Sequence, residues 1–146
     1  MQTAMDRLEE VLASVPGKLN KISDAGAGIK PGPQQWSKKE ILGHLIDSAG
    51  NNLQRFVRAQ LEKPLRFPGY EQNEWVAAQN YEYADWALLI EIWTAANRHI
   101  LGVMQAIELH HVDTPCIIGD TPPVTLSFLV TDYVRHLEHH LAAILK

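Results

Sequence analysis

The sequence predicts an all-α fold, a four-helix bundle with long connections and one short extra helix, built as a single domain over residues 1–146. Three observations lead there. Apolar residues recur at helical spacing in four long segments, and stretches rich in proline and glycine separate those segments. The chain is 146 residues long, 46% hydrophobic and 21% charged, enough to close one core without staples. Four amphipathic helices in so short a chain bury their stripes against one another.

The first helix runs from about Thr3 to Val15, with Met5, Leu8, Val11, Leu12 and Val15 on one stripe. Pro16-Gly17 is expected to interrupt it, with Leu19 and Ile22 adding another turn or two. Residues 25–33, with Gly26, Gly28, Pro31, Gly32 and Pro33, read as a connection. The second helix has the clearest start. Ser37 and Glu40 form an S-x-x-E capping box, and Trp36 and Ile41 hold the two positions of a hydrophobic staple. It is expected to reach Leu61 or Glu62, before Pro64. Pro64 to Gly69 reads as a loop, and Glu71 to Asn80 as the short extra helix. Asp85 caps a third long helix to about Ile107, on a stripe of Trp86, Leu89, Ile90, Trp93, Ala96, Ile100 and Met104. Residues 109–124 form a long connection with a brief extended piece at 116–118. The last helix starts at Thr125 as N-cap, with Val124 and Leu129 as a second staple, and continues almost to Lys146.

Charge and composition narrow the function. The formal net charge is -4, and Lys38-Lys39 is the only adjacent basic pair, so no basic face is laid out for nucleic acid. No stretch approaches the roughly 18 to 20 apolar residues that span a bilayer, and residues 1–7 lack both a basic n-region and an apolar h-region. The chain is therefore expected to be cytoplasmic and off the membrane. The single cysteine, Cys116, suits a reducing compartment and reads as buried and inert.

Seven histidines are present, and their positions differ in information. His110-His111 falls in a connection, and His99 beside Arg98 reads as surface. On the last helix His136 and His140 are four apart and share one face, whereas His139 is turned roughly 100° from His140 toward solvent. The core arc holds Leu126, Val130, Tyr133, Val134, Leu137, Leu141, Ile144 and Leu145, and the pair lies at its edge. The spacing fits two metal ligands, and equally two buried imidazoles bonded to Asp132, Tyr133 or each other. On the second helix Ile41, Leu42, Leu45, Ile46, Ala49, Leu53, Phe56 and Val57 face the core. His44 lies just beyond Ile41 in a polar stripe with Ser48, Asn51 and Arg55, either a solvated flank or a ligand beside a polar cavity.

Residues 36–47 and 132–140 resemble the second and last helices of the DinB-like (YfiT-like) metal-binding four-helix-bundle superfamily. Helix order and spacing are similar over nearly the whole chain. The resemblance implies a bundle with a three-histidine metal site, whose ligands by position are His44, His136 and His140. It also implies activity as a small-thiol S-transferase or isomerase, or as a metal-dependent hydrolase.

Three neutral imidazoles leave a coordination position open, a catalytic arrangement, since structural zinc is normally closed by four ligands. Zinc and nickel both accept imidazole. The expected cofactor is one such divalent ion, with a low-molecular-weight thiol as co-substrate if the chemistry is transfer. Asp132, four before His136, and Asp47, three after His44, stand where they could orient an imidazole or remain surface carboxylates. Tyr133 reads as proton donor or core aromatic, and Asn51 and Arg55 as receivers of an anionic small-molecule substrate. Trp75, Trp86 and Trp93 read as packing. Competing readings are a non-catalytic metal- or ligand-binding module and a metal-free helical scaffold. Bundles of this size often pair through a helix face, so a homodimer is the expected assembly.

Overall fold

A computed structural model describes all residues 1–146. Four long helices form the bundle: α1 (Gln2–Leu19), α3 (Lys38–Arg58), α5 (Trp86–Gln105) and α6 (Leu126–Ile144). In cross-section α3 packs on both α5 and α6, and α1 closes the ring against the same two helices. Their buried stripes meet in one core that includes Leu8, Leu19, Leu42, Leu45, Phe56, Trp93, Ile100, Met104, Leu137 and Ile144.

Pro16 does not end the first helix. It costs one backbone bond near the C-terminus, while Leu12, Val15 and Leu19 continue one buried stripe through it. The glycine-rich connection contains a single turn, α2 (Asp24–Ala27), because the Ser23 side chain accepts from the Gly26 amide. Its Asp24 accepts from the Trp86 amide at 2.9 Å and pairs with Lys39 at 3.0 Å, fastening the starts of α3 and α5 together.

The capping box of α3 is present on both sides. Ser37 Oγ accepts from the Glu40 amide at 3.2 Å, and Glu40 Oε1 accepts from the Ser37 amide at 3.0 Å. The helix stops at Arg58, about a turn short of the expected end, and Val57 is 40% exposed rather than in the core. The expected loop at 64–69 contains a strand, β1 (Leu65–Phe67). It pairs parallel with β2 (Pro115–Ile118), which in turn pairs antiparallel with β3 (Val124–Thr125). Neither β1 nor β3 is long enough to show a strand period in sequence. This small sheet ties the segment after α3 to the entry of α6, where the Thr125 side chain caps the Phe128 amide. The short helix is α4 (Gln72–Ala78). A 3₁₀ turn (Tyr81–Tyr83) follows it, and Asp85 caps α5 as expected. No helix is long and apolar enough to cross a membrane.

Trp93 and Trp86 are buried, with the Trp86 indole donating to the Leu19 carbonyl at 3.0 Å. Trp75 is partly exposed and lies against the Tyr70 ring instead. Cys116 is fully buried, donates to the Thr114 carbonyl, and has its thiol pKa raised by burial, which suits an inert thiol.

Candidate metal centre

Nearly two turns into α3, His44 is buried to 1% exposure and points toward α6. Its Nε2 lies 3.1 Å from His136 Nε2, and its ring stands edge-on to His136 and His140 with centroids 5.0 and 4.7 Å away. One ring nitrogen from each of the three lies within 4.8 Å of the others. The i,i+4 spacing on α6 brings His136 and His140 to 4.5 Å between centroids, with His139 left exposed. His99 and His110 are exposed, away from the cluster.

Burial holds the three rings neutral. It lowers the His44 pKa to about 4, helped by repulsion from His136 and His140. It lowers His140 to about 4 as well, with His136 and His139 adding to the effect. His136 is lowered by burial too, against an opposing pull from Asp132. Near neutral pH each ring therefore keeps a lone pair, the form that binds a divalent ion. The donor set fits such an ion: three imidazoles, no thiolate and no fourth ligand drawn in. Trp36 covers the outer side of His44, with ring centroids 5.1 Å apart.

Two cavities reach the cluster, one at His136 and one at His140. The smaller, about 140 Å³, is lined by Ser48, Asn52, Arg55, Tyr70, Asp132 and Tyr133, together with Leu129 and His136. The wider, about 570 Å³, is bounded by Trp36, Ile41, Gln72, Asn73 and His140. The residues singled out in the sequence divide between these surroundings and others. Arg55 and Asp132 line the small cavity, as does Tyr133, but the Tyr133 hydroxyl donates to Asn97 Oδ1 at 2.6 Å, and burial raises its pKa. Asp132 makes both its contacts with Arg135 through Oδ1, at 3.0 and 2.6 Å, and none with the His136 ring. Asp47 does not bond His44. Its Oδ1 accepts from Tyr81 at 2.7 Å and from Gln79 at 2.8 Å, while burial raises its pKa against those bonds. Asn51 faces a separate depression with Asp47, Gln54 and Trp75, its amide donating to the Asp47 carbonyl.

In the small cavity, Tyr70 and Asn52 are the residues that the sequence did not single out. On a wheel Asn52 lies about 80° from His44, among the core positions, while Asn51 lies about 20° away. Only the neighbours decide which of them meets a cavity: Gln79 and Tyr81 cover the Asp47 side, and α6 covers the Asn52 side. Tyr70 follows β1, whose pairing left no sequence pattern. Gly43 could have pointed to Tyr81, because a Cβ there would lie 2.2 Å from the Tyr81 ring, so only glycine lets that ring rest on α3 and reach Asp47.

Comparison with known proteins gives the family and the fold. The chain is 29% identical over 150 residues to a Bacillus subtilis (strain 168) protein named "Putative metal-dependent hydrolase YfiT", covering 95% of this chain and 81% of the relative. The solved structure of Bacillus subtilis YfiT, described as a probable metal-dependent hydrolase with an unusual four-helix bundle topology, superposes with a TM-score of 0.80. That match has 22% identity and covers 96% of this chain and 83% of the other. A DinB-like protein of Bacillus subtilis, YjoA, superposes with a TM-score of 0.65 at 15% identity, covering 97% and 87% of the two chains. Residues 3–144 match the DinB superfamily, and the chain belongs to that family.

Proposed function

We propose that this chain is a metal-dependent hydrolase of a small molecule, with His44, His136 and His140 holding one divalent ion, zinc or nickel. The observation that carries the reading is the convergence of three neutral imidazoles from two helices on one point, beside cavities of small-molecule size. A divalent ion held there supplies Lewis acidity, polarising a substrate carbonyl and lowering the pKa of a neighbouring water.

The chain's own groups do the rest. Burial of His44 and close packing of the three rings bring them together before any ion arrives, so little order is lost on binding. Trp36 shields His44 from bulk water. Of the three acid–base candidates, we take Asp132 as the base, which its position in the cavity with His136 supports; both Arg135 contacts fall on Oδ1, leaving Oδ2 to accept a proton from water. Tyr133 is committed to Asn97, and Asp47 to Tyr81 and Gln79.

Metal analysis of the purified protein, followed by a panel of small esters and amides, tests the reading. One stoichiometric ion is expected, together with turnover that a chelator removes. His44→Ala should lose both, and His139→Ala should keep both. Asp132→Asn should retain the ion and lose on the order of 10²–10⁴ in turnover. Equal turnover in wild type and His44→Ala would sink the proposal. Turnover appearing only with a small thiol and an electrophile would replace hydrolysis by S-transfer at the same centre.

A further inference from the structure

Arg55 differs from every other arginine in the chain. Arg7, Arg58 and Arg135 each pair with a carboxylate, and Arg66 and Arg98 are exposed. Arg55 is half-buried, takes part in none of the molecule's ion pairs, and has a buried Nε without a hydrogen-bond partner. Its guanidinium is not loose, for it sits over the Phe67 ring at 5.7 Å. It therefore presents a positioned, unneutralised cation to the small cavity that His136 also lines. Burying a charge without a partner is costly, so such a group implies a partner that arrives from outside.

The remaining walls define that partner. Ser48, Asn52 and Tyr70 are uncharged, and the one other charged wall, Asp132, is already paired with Arg135. A dianionic phosphate would meet one guanidinium and an opposing carboxylate. A planar monoanion matches the fork of a single arginine. We propose that Arg55 receives a carboxylate of the substrate, so that the molecule is an ester or amide carrying a free carboxylate on one side of its reactive bond. His136 lines the same cavity of about 140 Å³ as Arg55, so a carboxylate held on Arg55 leaves the neighbouring bond of a small molecule in the pocket that this ring borders. The identity of the reaction rests on the hydrolase reading; the carboxylate site does not.

The test uses chelator-treated protein, so that no ion can bind the acid in place of Arg55, with N-acetylglycinate as the probe followed by NMR titration. N-acetylglycinate is expected to bind, and its neutral amide analogue to bind about tenfold more weakly or worse. Arg55→Gln and Arg55→Met should each lose about tenfold or more, Arg55→Lys less, and Arg58→Gln nothing. A melting temperature of Arg55→Met at or above wild type is also expected, since an unpaired half-buried charge is removed. Unchanged N-acetylglycinate affinity in Arg55→Met, or tighter binding of inorganic phosphate than of the carboxylate, would overturn the proposal. Because the titration is metal-free, its failure is separate from failure of the metal analysis.

Discussion

Two stripes run along α3 and are buried to a similar depth, yet they are satisfied in opposite ways. Leu42, Leu45, Ala49 and Phe56 enter the apolar core and leave no polar atom to account for. His44, Asp47 and Ser48, with Arg55 at their end, face α6 and the segments after β1. On that stripe His44 Nδ1, Asp47 Oδ2 and Arg55 Nε are buried without partners. An unsatisfied buried group costs roughly 1–3 kcal/mol, so the second stripe spends stability that the first supplies. The difference separates what holds the bundle together from what the bundle is built to present.

Truncating one residue in each stripe should separate the two roles by the widest margin. In chelator-treated protein Leu42→Ala should cost about 2–5 kcal/mol in urea denaturation, through lost burial and the cavity left behind. His44→Ala should cost clearly less, because it removes a ring whose Nδ1 is already unsatisfied. Added zinc should then stabilise Leu42→Ala and leave His44→Ala where it was. If the two variants lose equal stability without metal, the polar stripe is structural and the contrast fails.

The next largest effect is expected at the edge of the polar stripe. Gly43→Ala would place a methyl group 2.2 Å from the Tyr81 ring, an overpacking that should cost about 1–3 kcal/mol and dislodge the hydroxyl that bonds Asp47. A double-mutant cycle with Tyr81→Ala measures it. The two losses should be strongly non-additive, since removing the ring removes the clash. Additive losses would show that Tyr81 does not rest on Gly43.

A smaller effect is the pH dependence of the polar stripe. His44 and His140 have pKa values of about 4 against an ordinary 6.5, so between those values the unfolded chain binds more protons than the folded one. Their contribution is fully present above pH 6.5 and is lost as the pH falls toward 4. Melting temperatures of chelator-treated protein across this window should fall with acidification. His140→Ala should flatten the slope and His139→Ala should not. A slope that His140→Ala leaves unchanged would mean that other groups carry the acid sensitivity.

These stripes differ equally in how far the sequence announced them. The capping box, the caps at Asp85 and Thr125, and the i,i+4 pair on α6 are local patterns, and each appears in the fold where local chemistry put it. The role of His44 rested on resemblance, because its wheel position fits a solvated flank as well as a buried one. What was not legible is what required a second segment. β1 is three residues long and exists through its register with β2, so Tyr70 could not be placed. Asn51 and Asn52 differ only in which neighbour covers them. Pro16 looked like a helix end because a local rule cannot weigh the burial of Leu19 beyond it.

The smallest expected effect lies on α6 outside both stripes, at the pair between Arg7 of α1 and Glu138. It closes α1 against α6 with a bidentate contact, yet Arg7 is half exposed. Solvent screens that pair, and two long side chains lose freedom to make it, so Arg7→Ala should cost about 0.2–1 kcal/mol. The loss should shrink further in high salt. Urea denaturation at low and high ionic strength measures both. Arg135 is more exposed still and pairs with Asp132 on its own helix, so its charge is neutralised at the rim. Arg55 is less exposed than either and pairs with no carboxylate. If Arg7→Ala cost several kcal/mol, exposure would be a poor guide to the worth of an arginine here, and the inference drawn from the isolation of Arg55 would lose its basis.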